Sequence, residues 1–466
     1  MNREHTARVR KIASIIRRYH HQNVPFRVYH GSTNTTRTLR FDKQATVDVS
    51  QLNHILSINK KRQVVVVEAN VSMDRLVEAT LQEDMIPPVV MEFPGITVGG
   101  GIQGGAGESS SFEWGCFNRI VNWYEMILAN GEIVRVSPEE KRDLFWGSAG
   151  SCGSIGVITA AEIQLIPAQP YVTLTYLPVK SFGEAISVTL KVSKEKHDFV
   201  DGILFAKDSG VVMVGSLAGS PARTVRRFTR AHDQWFYLHA LKMAQSTTIE
   251  SVSIPIRDYL FRYDRGAFWM GAYAYRRAGV PFNRASRYLL NPLMKTRKMY
   301  EALQASGVSQ EYVVQDLAIP AETSVDFLRF VDKTFHAYPL WLCPLKVDRN
   351  SPLQANHLKT RGIINVGVWA PYRRPYEEFV AVNRKLEKAV RDHGGRKWLY
   401  AHAYYTEDEF WQIYDRGWYD KLRAKYHATS LPSLYDKTSR MRPERDVSFK
   451  RGVWKAITSK ASLRPR

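Results

Sequence analysis

The sequence contains little cysteine, few acidic residues and no long apolar run. Its 466 residues include three cysteines, Cys116, Cys152 and Cys343. Because these are odd in number, far apart and without metal-ligand spacing, we expect neither a disulfide framework nor a metal site. No apolar run approaches the roughly 18 residues needed to cross a bilayer, so we expect no membrane-spanning helix.

The shortage of acids gives the chain a strongly positive charge. Lys and Arg number 66 against 45 Asp and Glu, a formal net charge of +21. Such a balance is typical of proteins with an anionic partner: a nucleic acid, a membrane surface, or an anionic cofactor or substrate. The basic residues form no nucleic-acid-binding motif, so we expect no nucleic-acid partner. The tail 441–466 is densely basic, and both a solvated tail and a segment lying on an anionic membrane through Trp454 fit it.

Enough apolar sequence is present to build a core, in an α+β pattern. Hydrophobic residues make up 44% and aromatic residues 12% of the chain. Residues 1–24 predict an amphipathic basic helix, after which short strands alternate with helices. The pattern also predicts a helix N-cap at Ser72 and a hairpin turn at Asn130-Gly131. Together these predict an α+β fold with a boundary near residue 168.

The stretch "TVGGGIQGGAGESSS", residues 97–111, contains six glycines, a composition that suits neither a helix nor a strand interior. It satisfies GxGxxG, but that dinucleotide motif needs a helix to start at its third glycine, and further glycines follow instead. Nearby "AGSCG" and "CGSIG" are near misses of the hydrolase motif GxSxG. We favour an extended Gly/Ser loop that cradles a pyrophosphate through backbone N–H groups. A second hydroxyl-rich loop, "YHGSTNTTR" (29–37), is suited to share that role.

The residues that follow resemble a known flavoprotein domain. T-V-G-G, E-S-S, L-A-N-G-E-I-V, S-P-E-E, D-L-F-W and G-S-I-G-V-I-T occur in order, and these are the recurrent elements of the FAD-binding PCMH-type domain in the vanillyl-alcohol oxidase / p-cresol methylhydroxylase superfamily. "ESSSFEWGCF", "FVDGILF", "VVQDLAIP", "YPLWLCP" and "LPSLYDK" are similar to the Diminuto-type sterol side-chain reductases, the 24-dehydrocholesterol reductase family. The resemblance covers residues 25 to 440. Animal and plant members begin with a hydrophobic membrane segment, for which this chain shows no counterpart.

The resemblance implies that two loops and a later turn hold FAD. Loop 29–37 would close on the pyrophosphate, the glycine-rich loop would wrap it, and the turn would line the rest of the cofactor. The implied cofactor-binding residues are Gly31, Ser32, Thr33, Asn34, Thr97, Val98, Gly99, Gly100, Gly104, Gly105, Glu108, Ser109, Ser110, Gly153, Ser154, Gly156, Val157 and Ile158. Some superfamily members attach FAD through His or Cys. Because the glycine-rich loop contains no His, we expect FAD to be bound non-covalently.

The reaction that the resemblance implies is reduction of the C24–C25 double bond of a sterol side chain, with NADPH as the electron donor. Reduced flavin would deliver a hydride to one carbon, and a protein acid or water would protonate the other. The alternatives on the same scaffold are a sterol or triterpenoid side-chain isomerase or desaturase, and an alcohol or sugar oxidase. Since an unactivated alkene has no carbonyl to polarise, the proton donor should matter greatly.

The stretch "KWLYAHAYYTE" is the best source of that donor. If it is a strand, alternate residues share an aromatic, titratable face: Trp398, Tyr400, His402 and Tyr404. Core residues with satisfied hydrogen bonds are the alternative. A buried acid in the strand pattern "FVDGILF" is costly without a partner. The catalytic candidates are therefore Tyr400, His402, Tyr404 and Asp201.

Two further stretches contain weaker candidates. Asp316, with Gln315 in "VVQDL", is an acid in a strand pattern like Asp201. Arg262, Tyr263 and Arg265 in "FRYDRGAFW" fit either an NADPH phosphate site or a solvent-facing surface.

The predicted organisation has five parts: a basic helix (1–24), an FAD-binding PCMH-type domain (25–168), an α+β substrate or cap domain (169–395), a segment that closes the substrate site (396–440) and a basic tail (441–466). The expected partners are a sterol and, peripherally, an anionic membrane. The expected location is the cytosolic face of the endoplasmic reticulum membrane, with the cytoplasm as the alternative. No feature of the sequence sets the oligomeric state.

Overall fold

The computed structural model describes residues 3–31, 34–37, 39, 41–439 and 447–458. Within them helices and strands are interspersed along the whole chain. The helices are α1 (Arg3–His21), α2 (Met73–Leu81), α3 (Val98–Gly104), α4 (Ser111–Trp114), α5 (Arg142–Ser148), α6 (Phe182–Val192), α7 (Phe236–Ala244), α8 (Ile256–Leu260), α9 (Met270–Ala278), α10 (Arg284–Leu289), α11 (Thr296–Ser306), α12 (Ser324–Phe335), α13 (Tyr376–Asp392), α14 (Glu407–Ile413), α15 (Arg416–Lys425), α16 (Leu434–Thr438) and α17 (Phe449–Ile457).

The strands in the same ranges are β1 (Arg27–Tyr29), β2 (Thr46–Asp48), β3 (Ile55–Asn59), β4 (Val64–Glu68), β5 (Met85–Ile86), β6 (Val121–Leu128), β7 (Ile133–Val136), β8 (Gly156–Gln164), β9 (Ile166–Pro167), β10 (Tyr171–Val179), β11 (Phe199–Ala206), β12 (Ser209–Ala218), β13 (Glu250–Pro255), β14 (Tyr312–Pro320), β15 (Leu340–Leu345), β16 (Ile363–Pro371) and β17 (Arg396–Lys397). The predicted α+β fold is confirmed.

A five-stranded antiparallel sheet with the order β3-β4-β8-β6-β7 occupies the first third of the chain. The β-branched run of β4 suits a sheet buried on both faces, since such side chains pack well on a pleated surface. β6 and β7 form the hairpin that the sequence predicts, with Ile127 opposite Ile133. Gly131 in its turn has φ +83°, a left-handed conformation that favours glycine.

Helix α1 packs on this sheet through an apolar stripe and a buried ion network. His5 contacts Glu68 at 2.7 Å and Glu125 at 3.0 Å, and Arg8 contacts Glu68 at 3.0 Å. Burial lowers the pKa of His5, but the hydrogen bonds and charges of the two glutamates outweigh burial and raise it to about 9. The protonated imidazole therefore ties α1 to the sheet.

An eight-stranded antiparallel sheet follows, in the order β13-β10-β12-β11-β15-β16-β14-β17. Helices α6, α12 and α13 cover one face with an apolar core. On β14, Leu317 packs into that core, whereas its neighbour Asp316 points to the opposite face, because successive side chains of a strand alternate. That opposite face of the sheet, which also presents Trp341 and Trp369, looks onto the cavity described below.

The C-terminal basic tail is described only in part, since residues 441–446 and 459–466 lie outside the described ranges. The part between them forms α17, which packs against α11. Gly452 allows this contact, because a Cβ there would lie 2.4 Å from that of Ser306. Lys450, Trp454 and Ile457 share an exposed face of α17. None of the helices in the described ranges is long and apolar enough to cross a membrane.

Candidate active site

A cavity of about 330 Å³ lies between the glycine-rich segment and the eight-stranded sheet. One end is lined by glycines, the loop after β1 and basic side chains, including Gly99, Gly104 and Lys437. The other end is lined by aromatic and acidic side chains, including Trp369 and Asp316. We call these the phosphate end and the aromatic end. The two differ in chemistry, although they form one space.

The glycine-rich segment departs from the extended loop that the sequence predicts. Residues Val98–Gly104 form the short helix α3, and the Thr97 hydroxyl accepts a hydrogen bond from the Gly100 N–H at 3.2 Å. The extended part begins at Gly105, whose φ is +73°. The prediction was wrong for the first half because capping by Thr97 and the contacts of neighbouring segments stabilise a helix despite the low propensity of glycine.

Glycine is needed at two positions for different reasons. A Cβ at Gly105 would lie 2.3 Å from Gln354 Oε1 and 2.8 Å from the Trp398 ring, so the backbone there packs against neighbouring elements. A Cβ at Gly104 would meet nothing within 4 Å, which leaves its Cα facing open cavity. The backbone at Gly104 is thus available to a ligand that approaches closely.

The loop after β1 faces the same end of the cavity. His30 Nδ1 and Asn34 Oδ1 are buried, and neither has a hydrogen-bond partner within the described residues. Burial lowers the pKa of His30 to about 4, so this imidazole is neutral. Gly31 has φ +80° and turns the chain. Polar atoms that are buried without partners at a cavity wall are suited to a polar ligand.

Basic side chains from distant parts of the chain complete the phosphate end. Lys437 Nζ donates to the carbonyls of Gly153 at 2.7 Å and Cys152 at 3.2 Å. Burial, together with the nearby charges of Arg27 and Arg37, lowers the pKa of Lys437 to about 7. Both arginines also line the cavity. Three cationic groups held close together suit a strongly anionic ligand.

These observations fit the pyrophosphate-bearing cofactor that the sequence implies. Bare glycine backbone, unpartnered polar atoms and a cluster of cations are the groups that diphosphates require. The residues that would hold the pyrophosphate are those around Gly104, Asn34 and Lys437, and the rest of the cofactor would extend toward the aromatic end, past Gly153 and Val157.

At the aromatic end, three tryptophans and a phenylalanine enclose the cavity: Trp341, Trp369, Trp398 and Phe268. The ring of Phe268 stands edge-on to Trp369 with centroids 4.5 Å apart, and Trp341 stacks with Trp369 at 6.1 Å. Phe268 reaches this position from a backbone with φ +62°, next to Ala267 with φ +46°. Two successive non-glycine residues in this region are costly, and such strain is found at functional sites.

A buried carboxyl lies among these rings. Asp316 accepts hydrogen bonds from the Tyr400 hydroxyl at 2.5 Å and from Asn365 Nδ2 at 3.0 Å. Asn365 in turn accepts from the indole N–H of Trp398 at 2.8 Å. Burial raises the pKa of Asp316 to about 6, against the lowering effect of its hydrogen bonds with Tyr400 and Asn365. The group is therefore able to hold or release a proton near neutral pH.

Two more carboxyls line the middle of the cavity, Glu92 and Glu108. Glu92 pairs with the buried Arg262 at 2.8 Å. Burial, together with the charge of Asp201, raises the pKa of Glu92 to about 7 although Arg262 opposes the shift. Burial and the charge of Glu92 hold the pKa of Glu108 well above its usual range. Burial thus favours the neutral form of both carboxyls more than it would at an exposed glutamate.

The residues implied for the cofactor fall into three groups. Ten line the cavity: Asn34, Thr97, Gly99, Gly100, Gly104, Gly105, Glu108, Gly153, Val157 and Ile158. Six are not among the residues that line it: Gly31, Val98, Ser109, Ser110, Ser154 and Gly156. Among these, Ser154 accepts a hydrogen bond from Tyr419 at 2.8 Å. The remaining two, Ser32 and Thr33, lie outside the described residues.

Of the catalytic candidates, Tyr400 lines the cavity, and the other three lie outside it. The predicted strand was wrong, because β17 ends at Lys397 and the following residues are irregular. The side chains are therefore not on one face. His402 is buried beside Tyr404, with ring centroids 4.6 Å apart, and burial with the charge of Lys397 lowers the pKa of His402 to about 3. It is neutral and cannot serve as an acid at ordinary pH.

Asp201 has the partner that its burial requires. It pairs with Arg262 at 2.9 Å and accepts from the Tyr263 hydroxyl at 2.7 Å. The solvent-facing alternative for "FRYDRGAFW" was wrong, since Arg262 and Arg265 are 1% and 2% exposed. Arg265 donates to backbone carbonyls, including that of Asp233 at 2.8 Å. Both arginines are used internally, which leaves neither facing a second nucleotide.

Sequence reasoning singled out Trp398 but missed Lys437, Trp341 and Trp369, and it ranked Asp316 too low. Lys437 belongs to "LPSLYDK", a stretch that carried the resemblance, so its position could have been noted. The tryptophans come from three separate elements, and no local pattern connects them. Only the folded sheet brings them together with Asp316.

Comparison with known proteins agrees with this site. A family model described as FAD binding domain matches residues 6–137. The Delta(24)-sterol reductase of Homo sapiens is 32% identical over 93% of this chain and 86% of its own length. The Delta(24)-sterol reductase of Arabidopsis thaliana is 31% identical over 85% of this chain and 77% of its own. The decaprenylphosphoryl-beta-D-ribose oxidase of Mycolicibacterium smegmatis is 34% identical over 26% of this chain and 27% of its own.

The glycine-lined cavity and the matching domain together define an FAD-binding oxidoreductase. The α+β fold of the chain continues far beyond the residues that this domain matches. The two Delta(24)-sterol reductases match 93% and 85% of the chain. The chain belongs to the Delta(24)-sterol reductase family.

Proposed function

We propose that this protein reduces the C24–C25 double bond of a sterol side chain, with FAD as its cofactor and NADPH as the electron donor. The observation that carries the proposal is the continuous cavity, whose phosphate end suits a dinucleotide and whose aromatic end suits an apolar alkene. The relatives that match 93% and 85% of the chain are Delta(24)-sterol reductases.

The phosphate end is proposed to bind the FAD pyrophosphate. Backbone at Gly104 and the neighbouring glycines offers close approach, and Lys437 with Arg27 and Arg37 supplies positive charge. Ser32 and Thr33 are proposed from the resemblance alone. Bound flavin supplies a hydride donor and acceptor, a chemistry that no amino-acid side chain provides. We propose non-covalent binding, as the sequence predicts.

The aromatic end is proposed to hold the alkene and exclude water. Indole and phenyl rings give an apolar side chain a large contact area without competing for hydrogen bonds. No group here needs to polarise a carbonyl, because the substrate bond has none. What the reaction does need from the protein is one proton. Tyr400 carries an O–H into the cavity, and we propose that it donates that proton.

The other catalytic candidates are given supporting roles. Asp201 balances Arg262, which in turn pairs with Glu92 at the cavity wall. The carbonyl of His402 accepts from Lys397 at 2.5 Å, and Tyr404 donates its backbone N–H to Glu387 at 2.9 Å. These contacts fix the irregular segment that presents Tyr400.

Contact with an anionic membrane is also proposed, at the cytosolic face of the endoplasmic reticulum. Sterols reside in membranes, and the chain carries a net charge of +21. Trp454 and Ile457 are 53% and 58% exposed on α17, beside the exposed Lys450. An aromatic, an aliphatic and a cationic side chain on one helix face favour an interfacial position. α17 packs on α11, which contributes Tyr300 to the cavity wall, so this face lies near the site.

The proposed function is tested by deuterium labelling of the sterol product from solvent. The FAD-loaded protein is incubated without oxygen in deuterated water with NADPH and a sterol that has a C24–C25 double bond. The expected product is saturated in its side chain and carries at least one deuterium from solvent, at C24 or C25. A double bond that moves without loss of unsaturation indicates an isomerase. Turnover of an alcohol or sugar with oxygen consumption indicates an oxidase, and either result would overturn the proposal.

A further inference from the structure

Asp316 and Tyr400 form a hydrogen-bonded pair that faces the cavity from two different segments. Asp316 belongs to β14, and Tyr400 lies in the irregular segment after β17. Their oxygens are 2.5 Å apart, a short distance for a neutral phenol and a carboxyl group. Both residues line the aromatic end. A proton can therefore pass between them without any movement of the chain.

The surrounding chain holds this pair in place from several sides. The Thr35 hydroxyl donates to the backbone carbonyl of Tyr400. The backbone N–H of Trp398 donates to the backbone carbonyl of Asp316 at 3.0 Å. On the neighbouring strand, a Cβ at Gly367 would lie 2.9 Å from Asp316 Oδ1, so the absence of a side chain there makes room for the carboxyl. Asn365 donates to that same oxygen. The second oxygen is left for Tyr400.

Burial of the pair favours a carboxyl at Asp316 that retains its proton. Burial of Asp316 disfavours its anion, and no cation pairs with it within the described residues. Glu108 lies near enough to feel its charge, and so do the phenols of Tyr300 and Tyr400. Glu92 is paired with Arg262, so we do not assign the role of proton source to that carboxyl. Among the described acids that line the cavity, Asp316 is the one that bonds the Tyr400 hydroxyl at the aromatic end.

We propose that Asp316 is the positioning residue that supplies Tyr400 with the proton delivered to the alkene. The inference rests on the proposed function and names the source of the proton in that reaction. The Tyr400 O–H bond breaks as a C–H bond forms at one alkene carbon, while the other carbon receives the hydride that NADPH provides by way of the bound FAD. For this step Asp316 is protonated and donates to the Tyr400 oxygen, the reverse of the hydrogen bond described above, which frees the Tyr400 O–H to reach the alkene. The Asp316 proton then moves to the Tyr400 oxygen, and the carboxylate regains a proton from solvent. One hydride and one proton are consumed for each double bond.

Asp316→Asn tests this without removing the hydrogen bond. The amide oxygen of asparagine still accepts from Tyr400, but the side chain has no acidic proton. A residue that only orients Tyr400 would tolerate the change. The matched control is Asp332→Asn, because Asp332 accepts from the Tyr338 hydroxyl at 2.8 Å in a pair of the same kind away from the cavity. Each protein is loaded with FAD, and its reduction by NADPH and its re-oxidation by the sterol are timed separately without oxygen.

The expected result separates the two halves of the cycle. Asp316→Asn binds FAD and is reduced by NADPH like the unmodified protein, but the sterol re-oxidises it about 100-fold more slowly. Tyr400→Phe has a similar defect, and the double variant is no slower than the slower single one, because the residues act as a unit. In the unmodified protein the rate of re-oxidation by the sterol falls as pH rises through about 6. In Asp316→Asn this rate does not fall over the same pH range. Re-oxidation of Asp316→Asn at the rate of Asp332→Asn would overturn the inference.

A second readout does not depend on turnover. Infrared difference spectra over a pH titration show a carboxylic-acid band that disappears as pH rises through about 6. Asp316→Asn lacks that band. In Tyr400→Phe its midpoint moves upward, since the lost hydrogen bond favoured the anion. An unshifted midpoint in Tyr400→Phe would show the pair to be uncoupled and overturn the inference, even if Asp316→Asn does not fold. If the sterol never re-oxidises the unmodified protein, the proposed function fails, and the inference fails with it whatever the infrared result.

Discussion

The two ends of the cavity use opposite chemistry. The phosphate end is built from backbone and cations, with Lys437 donating to the Gly153 carbonyl at 2.7 Å. The aromatic end is built from rings and acids, with Tyr400 bonded to Asp316 at 2.5 Å. One end offers what an anion needs, and the other offers an apolar surface and a proton. In the proposed function, cofactor binding and chemistry on the alkene therefore depend on separate residue sets, and the variants below test that separation.

The largest effect should come from the aromatic end. Tyr400→Phe removes one hydroxyl and leaves the ring, so packing is retained. We expect sterol reduction to slow about 100-fold or more, because the proton donor is lost, while FAD affinity is unchanged. Stopped-flow absorbance and FAD titration measure the two quantities on one preparation. A matching loss of FAD affinity would break the separation between the ends.

Gly105 of the glycine-rich segment packs against Trp398 of the aromatic end, and its replacement should be the next most harmful. Gly105→Ala puts a Cβ 2.8 Å from the Trp398 ring at φ +73°. We expect about 2 kcal/mol of lost stability in the FAD-free protein from strain and overpacking. Gly104→Ala is the matched control, since its Cβ meets nothing within 4 Å. It should keep its stability in urea unfolding and still weaken FAD binding, and equal stability of the two variants would contradict the account.

The ion network around His5 holds helix α1 to the five-stranded sheet, and its contribution to stability depends on pH. The two glutamates raise the pKa of His5 to about 9, against the effect of burial. The stabilisation is therefore complete below the unfolded pKa of about 6.5 and is lost as pH rises through about 9. We expect up to about 2 kcal/mol to disappear over that range. In His5→Gln the free energy of unfolding should vary less with pH over this range. If it varies as steeply as in the unmodified protein, the ion network of His5 contributes nothing to stability.

The smallest of these effects concerns Lys437. Because the pyrophosphate favours the ammonium form, FAD binding above pH 7 should take up a proton, and affinity should fall as pH rises through the FAD-free pKa of about 7. Lys437→Met should weaken FAD binding by about tenfold and remove the pH dependence, while Lys437→Arg retains the charge. Calorimetry in buffers of different ionisation enthalpy measures the proton uptake directly. Binding of FAD to Lys437→Met with unchanged affinity would remove this lysine from the phosphate end.

The two ends also differ in how far the sequence predicts them. The glycines of residues 97–111 lie together in the chain, so their density indicated that the backbone is closely approached there, and the family resemblance identified the phosphates of FAD as the expected ligand. The aromatic end combines Trp341, Trp369 and Asp316, whose meeting depends on the pairing of β14, β15 and β16. The sequence analysis assumed a strand through His402 and so expected this side chain on the same face as Tyr400. The expectation was wrong because the chain leaves the sheet after Lys397. Local patterns predict local structure, whereas a site assembled across a sheet requires the fold.

The most direct test of the whole account is a single anaerobic titration. The FAD-loaded protein is reduced with NADPH until its visible flavin absorbance is bleached, and a sterol with a C24–C25 double bond is then added. The account predicts that the absorbance returns in proportion to the sterol reduced, with no oxygen present. Flavin that stays bleached with this sterol, and recovers only when oxygen is admitted, would contradict it.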